Sequence, residues 1–343
     1  MSQKGKRRKK YQEIRKRYQD KRHSSKWKIR KKNKQIQKEL IKKAFEKYQN
    51  APYREHIAPK NFSFINNTDE VLKYFDDAHT IFESGDNVTF EISEVDEMTP
   101  DTLALLIASI KNPKFRKRGN SRGNEPEKPK LQKMFRQSGF NEQVTSSGFP
   151  SVPSNHLLHK EVHNKVEPRV AKKACITGLK HIHGVAEPFP PLYEILIECM
   201  SNSHNHASLN DQGECRWWLY VFTDPDTKSA SYTFVDLGVG IFKSAYMAGK
   251  INEYLKGTIA VPHLNLVDNL LAGKIQSRIE KDRPIRGKGI PQITRHAKMD
   301  CFSEFYIITN DVKIDLKTGK KYPVAGDFSG TLLHWTLINN YEN

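Results

Sequence analysis

The chain has 343 residues, a formal net charge of +18 and 37% hydrophobic residues; that is long enough for two domains with real cores, although a mean hydropathy of −0.71 marks much of it as solvated. The longest apolar run, "LALLIASI", falls short of the roughly 20 residues that cross a bilayer, and the basic N-terminus has no apolar segment behind it, so neither a transmembrane segment nor a signal peptide is expected and the predicted location is cytoplasmic. The four cysteines, Cys175, Cys199, Cys215 and Cys301, form no CxxC pair, which argues against a zinc knuckle or a disulfide framework and for buried reduced thiols.

The charge is concentrated at one end. Residues 1–49 hold 21 Lys and Arg against 4 Asp and Glu, a balance of +17, while the remaining 36 basic and 35 acidic residues nearly cancel. This arm has no proline. Tyr11, Ile14 and Tyr18, and then Ile36, Leu40, Ala44 and Tyr48, recur at helical spacing. It is predicted to be disordered or loosely helical until it meets a polyanion. Lys6, Arg7, Arg8, Lys9, Lys10, Arg15 and Arg17 would neutralise phosphates of DNA or RNA and release counterions. Tyr11, Tyr18 and Trp27 would stack on unpaired bases. An anionic membrane or an acidic protein is the competing partner, and a solubilising tail is the plainest alternative.

From residue 60 the pattern reads strand, helix, strand, helix. "FSFIN" is predicted to be extended. Thr68 or Asp69 is the expected cap of a helix whose Val71, Leu72, Phe75, Ala78, Ile81 and Phe82 follow a helical period, ended by Gly85. "NVTFEIS" alternates as a strand. "TPDTLALLIASI" offers Thr99 as N-cap and Pro100 in the first turn. A Gly/Pro/charge loop then leads to "LQKMFRQSGF", a short helix stopped by Gly139, and residues 146–164 are predicted to be a linker. Over residues 60–145 this order, with its late "SGF", loosely resembles the STAS domain of anti-sigma-factor antagonists. The resemblance implies a small α/β protein-interaction unit. That family's phosphorylated position falls in "EMTPDT", where Thr99 or Thr102 would have to serve, although helix capping accounts for Thr99 without a phosphate.

"YEILIECMSNSHNHA", residues 193–207, begins as a buried helix and ends polar. Spacings of four, three and four put Glu198, Asn202 and Asn205 with His206 along one helical face. His204 and His206, two apart, point their rings about 200° from each other on a helix and do not chelate one metal. Further on, "ASYTFVDLGVGIF" carries Asp236, Gly238 and Gly240, "RPIRGKGIPQI" carries Gly287, Lys288 and Gly289, and "DFSGTLLHWTLI" places Thr331 after a glycine. Any one of these is an ordinary turn or capped helix; the four in this order are specific.

In these motifs residues 165–343 resemble the GHKL ATPase superfamily of type II topoisomerases, mismatch-repair ATPases, heat-shock chaperones and histidine kinases. The resemblance implies a two-layer α/β sandwich with a mixed sheet, helices on one face, and ATP with Mg²⁺ as cofactors. By the same resemblance Asp236 would accept from the adenine amino group, and Thr331 would share the linking water. Gly238 and Gly240 would let the backbone approach closely. Asn202, with Asn205 and His206 in the same box, would face the phosphates and hold Mg²⁺. Glu198 would orient or deprotonate a water. Gly287 and Gly289 would offer amides to phosphate oxygens, with Lys288 adding charge, and residues 243–286 would form a lid.

Three outcomes of ATP binding remain open. The first is slow hydrolysis coupled to lid closure, with possible homodimerisation, that alters a grip on nucleic acid or on a protein partner. The second is a protein kinase of the histidine or anti-sigma-factor branch, suggested by the His four residues after Asn202. The third is a nucleotide-gated scaffold or sensor.

Overall fold

The computed structural model describes residues 51–112, 120–144, 156–161, 166–185, 188–206, 216–224, 226–247, 262–275 and 289–340, together with Lys32, Gln35, Ile36 and Glu39. The nucleic-acid contacts predicted for the arm, Lys6, Arg7, Arg8, Lys9, Lys10, Arg15, Arg17 and Trp27, lie outside the described residues. So do Gly287 and Lys288.

The chain is a mixed α/β protein. Tyr53–Ile57 (β1), Asn87–Glu91 (β3) and Ser121–Gly123 (β5) form a parallel three-stranded sheet in that order. Thr68–Ser84 (α1) and Pro100–Lys111 (α2) make the crossovers. Asn61–Phe62 (β2) and Glu97–Met98 (β4) pair in a minimal second sheet. Pro129–Gln137 (α3) and Phe140–Val144 (α4) follow. The helical period of α1 buries Val71, Leu72, Phe75, Ala78 and Phe82. Gly85 ends it in the left-handed region at φ +91°, where a side chain would be strained.

Two local expectations fail. "FSFIN" is strand only over β2, because the start of α2 captures the backbone of the next residues: Thr102 Oγ1 accepts from Phe64 N at 2.6 Å and Asp101 Oδ2 from Ile65 N at 2.9 Å. The N-cap of α1 is Asn67, not Thr68 or Asp69. Thr68 Oγ1 instead donates to Phe64 O at 2.8 Å, and Asp69 Oδ1 accepts from Ala325 N at 2.9 Å. Thr99 is the N-cap of α2 by backbone position, with Pro100 behind it, but its hydroxyl makes no cap bond.

The larger sheet holds Leu157–Glu161 (β6), Trp217–Asp224 (β7), Ser229–Asp236 (β8), Phe302–Asp315 (β9) and Lys321–Leu337 (β10) in the order β6-β7-β8-β10-β9. Every neighbouring pair is antiparallel, so this sheet is not the mixed one expected. Part of the predicted linker, residues 157–161, is its edge strand.

Pro168–His183 (α5), Pro190–His206 (α6), His263–Leu271 (α8) and Gly289–Ala297 (α9) share a core with Trp217, Leu219, Val221, Leu333 and Trp335 on one face. Helices do not stop at that face. The alternate residues Trp218, Tyr220, Val235, Ile308 and Leu332 enter a second core with α1, α2 and the small sheet. The segment 51–144 therefore roofs the other face of the large sheet. Among the described residues no helix is long and apolar enough to cross a membrane. Cys175, Cys199 and Cys301 are free and buried.

Candidate functional site

Four stretches far apart in sequence meet at one end of the large sheet. The first is the C-terminal half of α6, which carries Glu198 and, one turn later, the adjacent Asn202 and Ser203. The second is the end of β8, where Asp236 is 6% exposed. Its two oxygens are held separately: Oδ1 accepts from Gly238 N at 3.0 Å, and Oδ2 accepts from Ser203 Oγ at 3.1 Å. Burial pushes the Asp236 carboxyl up to about 6, against the lowering effect of those two donors. A carboxylate kept in such a place keeps a strong acceptor where water is scarce.

The third stretch is β10. Thr331 lies directly opposite Asp236 in the antiparallel register and opposite Thr309 on its other side. Thr331 Oγ1 is 3.4 Å from Thr309 Oγ1. The preceding Gly330 has φ +154°, and a Cβ there would sit 2.3 Å from Asp236 O, so only glycine lets the strand pass this close. Thr309 Oγ1 donates to Gly330 O and accepts from Ile241 N, both at 2.9 Å. Asn310, at φ +53°, donates from Nδ2 to Val239 O at 3.0 Å and accepts at Oδ1 from Phe242 N at 3.1 Å. The Asp-x-Gly-x-Gly turn is thus stapled to β9 as it enters Ile241–Met247 (α7). Gly240, at φ +83°, is required here, since a Cβ would meet the Asn310 amide at 2.5 Å.

The fourth stretch is the start of α9. A Cβ on Gly289 would lie 2.6 Å from Glu198 Oε2 and 3.2 Å from Asn202 Oδ1. Glycine therefore brings bare backbone against an acid and an amide one turn apart. Glu198 is half-buried, and desolvation followed by the neighbouring Glu194 raises its carboxyl above the usual range. Asn205 and His206 are the last two residues of α6, and their side chains lie outside the described residues, as do Gly287 and Lys288. Ser203, Thr309 and Asn310 were not singled out from sequence. Ser203 adjoins the selected Asn202, and Asn310 belongs to the residue type that most readily takes positive φ; both are weak signals.

The two threonines considered for phosphorylation are inward-facing. Thr102 is fully buried under the Phe64 amide, and the Thr99 hydroxyl is buried without a partner. Among the described residues no group of three or more His, Cys, Asp or Glu is arranged to hold a metal ion. No protein-family model matches the chain, and no curated protein matches it.

Proposed function

We propose that this site binds Mg-ATP in the manner of the GHKL superfamily, that the protein hydrolyses ATP slowly, and that closure of the lid expected over residues 243–286, of which 248–261 and 276–286 lie outside the described residues, regulates contact with a nucleic acid or protein partner. One observation carries the reading. The Asp-Gly turn and the Gly-Thr strand meet the Asn helix at Ser203, and the end of the Gly-Lys-Gly loop meets the same helix at Glu198 and Asn202. In this reading Asp236 accepts from the adenine amino group, with Ser203 and Gly238 aiming its oxygens. Thr331 supports the same edge of the base.

The residues also suit the cation. Mg²⁺ keeps most of its waters and takes few protein ligands. Asn202 offers one neutral oxygen beside backbone that only glycine allows so near. Bound there with the phosphates, the ion would neutralise charge on the leaving group. Glu198, raised by burial, is suited to take a proton from an attacking water. The segment 51–144, with its parallel β1-β3-β5 order, is proposed as a STAS-like partner surface fixed to the back of the sheet.

Purified protein incubated with γ-labelled ATP and Mg²⁺ tests the reading. Free phosphate supports it. Label on the protein moves the assignment to a kinase. Binding without either product leaves a nucleotide-gated scaffold, and absence of binding removes the nucleotide altogether.

A further inference from the structure

Glu194 lies one turn before Glu198 and two before Asn202, so the three side chains form one stripe along α6. On α9, Gly289, Gln292 and His296 recur three and four residues apart and likewise share a face. The two stripes meet. Gly289 sits against Glu198 and Asn202. Further along α9, Gln292 Nε2 donates to Glu194 Oε2 at 2.7 Å, and His296 Nε2 is 2.8 Å from the same oxygen. As α9 runs forward it therefore moves back along α6, and the helices are antiparallel over this contact. Ile293 and Ala297, on the other flank of α9, are fully buried in the core. Apolar packing holds α9 to the body but has no preferred direction of its own. A single carboxylate oxygen receiving two donors adds a directional constraint.

We propose that Glu194 is a positioning residue whose carboxylate, by gripping Gln292 and His296 together, sets the register of α9 and so holds Gly289 against Glu198 and Asn202. The role of that register in binding phosphates rests on the nucleotide reading above; the grip itself does not. The clamp acts at the phosphate end alone, because the Asp236 end is held by Ser203, Gly238 and Thr331, none of which touches α9 through these bonds. Its donors keep the Glu194 carboxyl below the usual range, with His296 the largest contributor, so it stays ionised and gripping.

The test uses the full chain and the Glu194→Ala and Glu194→Gln variants. Without nucleotide, amide hydrogen exchange over residues 289–297 should speed up by about ten-fold in Glu194→Ala, while β7 and β8 keep wild-type protection. Glu194→Gln keeps one acceptor oxygen and should fall between. With ligand, Glu194→Ala should weaken Mg-ATP by about ten-fold yet leave adenosine within about two-fold of wild type. Wild-type exchange over 289–297 in Glu194→Ala overturns the proposal. So does equal weakening of ATP and adenosine, which would mark a general structural role. A wild-type protein that binds neither ligand refutes the nucleotide reading, and the exchange arm then decides the clamp by itself.

Discussion

Asp236→Asn should stabilise the empty protein and ruin its ligand site. The carboxyl is buried, and its pKa rises from 3.8 to about 6. That displacement equals about 3 kcal/mol of preference for the protonated form in the folded state. The folded pKa lies above the unfolded one, so this contribution is fully present below about pH 4 and is lost as pH rises through about 6. At pH 7 wild type therefore carries an ionised, poorly solvated group that asparagine, neutral throughout, does not. The local bonds survive the exchange: the new amide oxygen takes the Gly238 N–H, and its NH₂ donates to Ser203 Oγ, which rotates to accept. Denaturant titrations should show the variant more stable at pH 8 by up to about 3 kcal/mol, with the gap closing toward pH 4. Meanwhile an adenine amino group would face a donor instead of an acceptor, costing about 1–3 kcal/mol of ATP affinity by calorimetry. A variant less stable than wild type at pH 8, or one binding ATP unchanged, refutes the reasoning.

Glu198→Ala should leave Mg-ATP binding intact and slow phosphate release by about 10²-fold or more, the contribution expected of a general base. Asn202→Ala should instead weaken binding, and only when Mg²⁺ is present. Deleting residues 1–49 removes +17 of charge; in filter binding it should abolish most affinity for DNA or RNA, whose logarithm falls with log salt by about 0.7 to 0.9 per phosphate neutralised, while ATP affinity stays put. A chain beginning at residue 146 should aggregate: it bares Trp218, Tyr220, Val235, Ile308 and Leu332, all within 1% of full burial, and at about 1.5–3 kcal/mol each their loss is comparable to a typical domain's whole stability. A monomeric, cooperatively melting fragment would contradict that.

The candidate site was legible where chemistry is local. Glycines that must turn left-handed or pass close to backbone, an acid at a strand end, and an asparagine on a helix face all announce themselves by residue type. Gly240 is left-handed, Gly289 and Gly330 pass close to their neighbours, and Asp236 ends β8; Gly238, expected to do the same as Gly240, has no positive φ and serves instead by its N–H to Asp236. What escaped notice was the set of residues that act through others. Ser203 matters because β8 ends beside α6, and Asn310 because β9 returns past the Asp-Gly turn. Those juxtapositions are made by long-range strand pairing, and serine or asparagine in a short window carries no trace of it. The cap of α1 was misplaced for related reasons: Thr68 Oγ1 turns back to Phe64 O four residues earlier, and Asp69 Oδ1 is taken by Ala325 N from a distant strand.

The covered back of the sheet is written in the strands themselves. A strand with one face in water alternates apolar and polar residues, whereas one buried on both faces is apolar without interruption. "WWLYVF" in β7 does not alternate, and the final eight residues of β10 are all buried. Such strands need cover on two sides. Helices α5, α6, α8 and α9 supply one, and among the described residues α1, α2 and the small sheet supply the other, with Leu103 to Ala108 of α2 buried throughout. The consequence reaches the site. β8 and β10, which carry Asp236 and Thr331 at one end, press Val235 and Leu332 into the same core as α2. A partner that shifts segment 51–144 therefore pushes on the residues immediately beside the candidate base-binding pair, without any need for a separate relay.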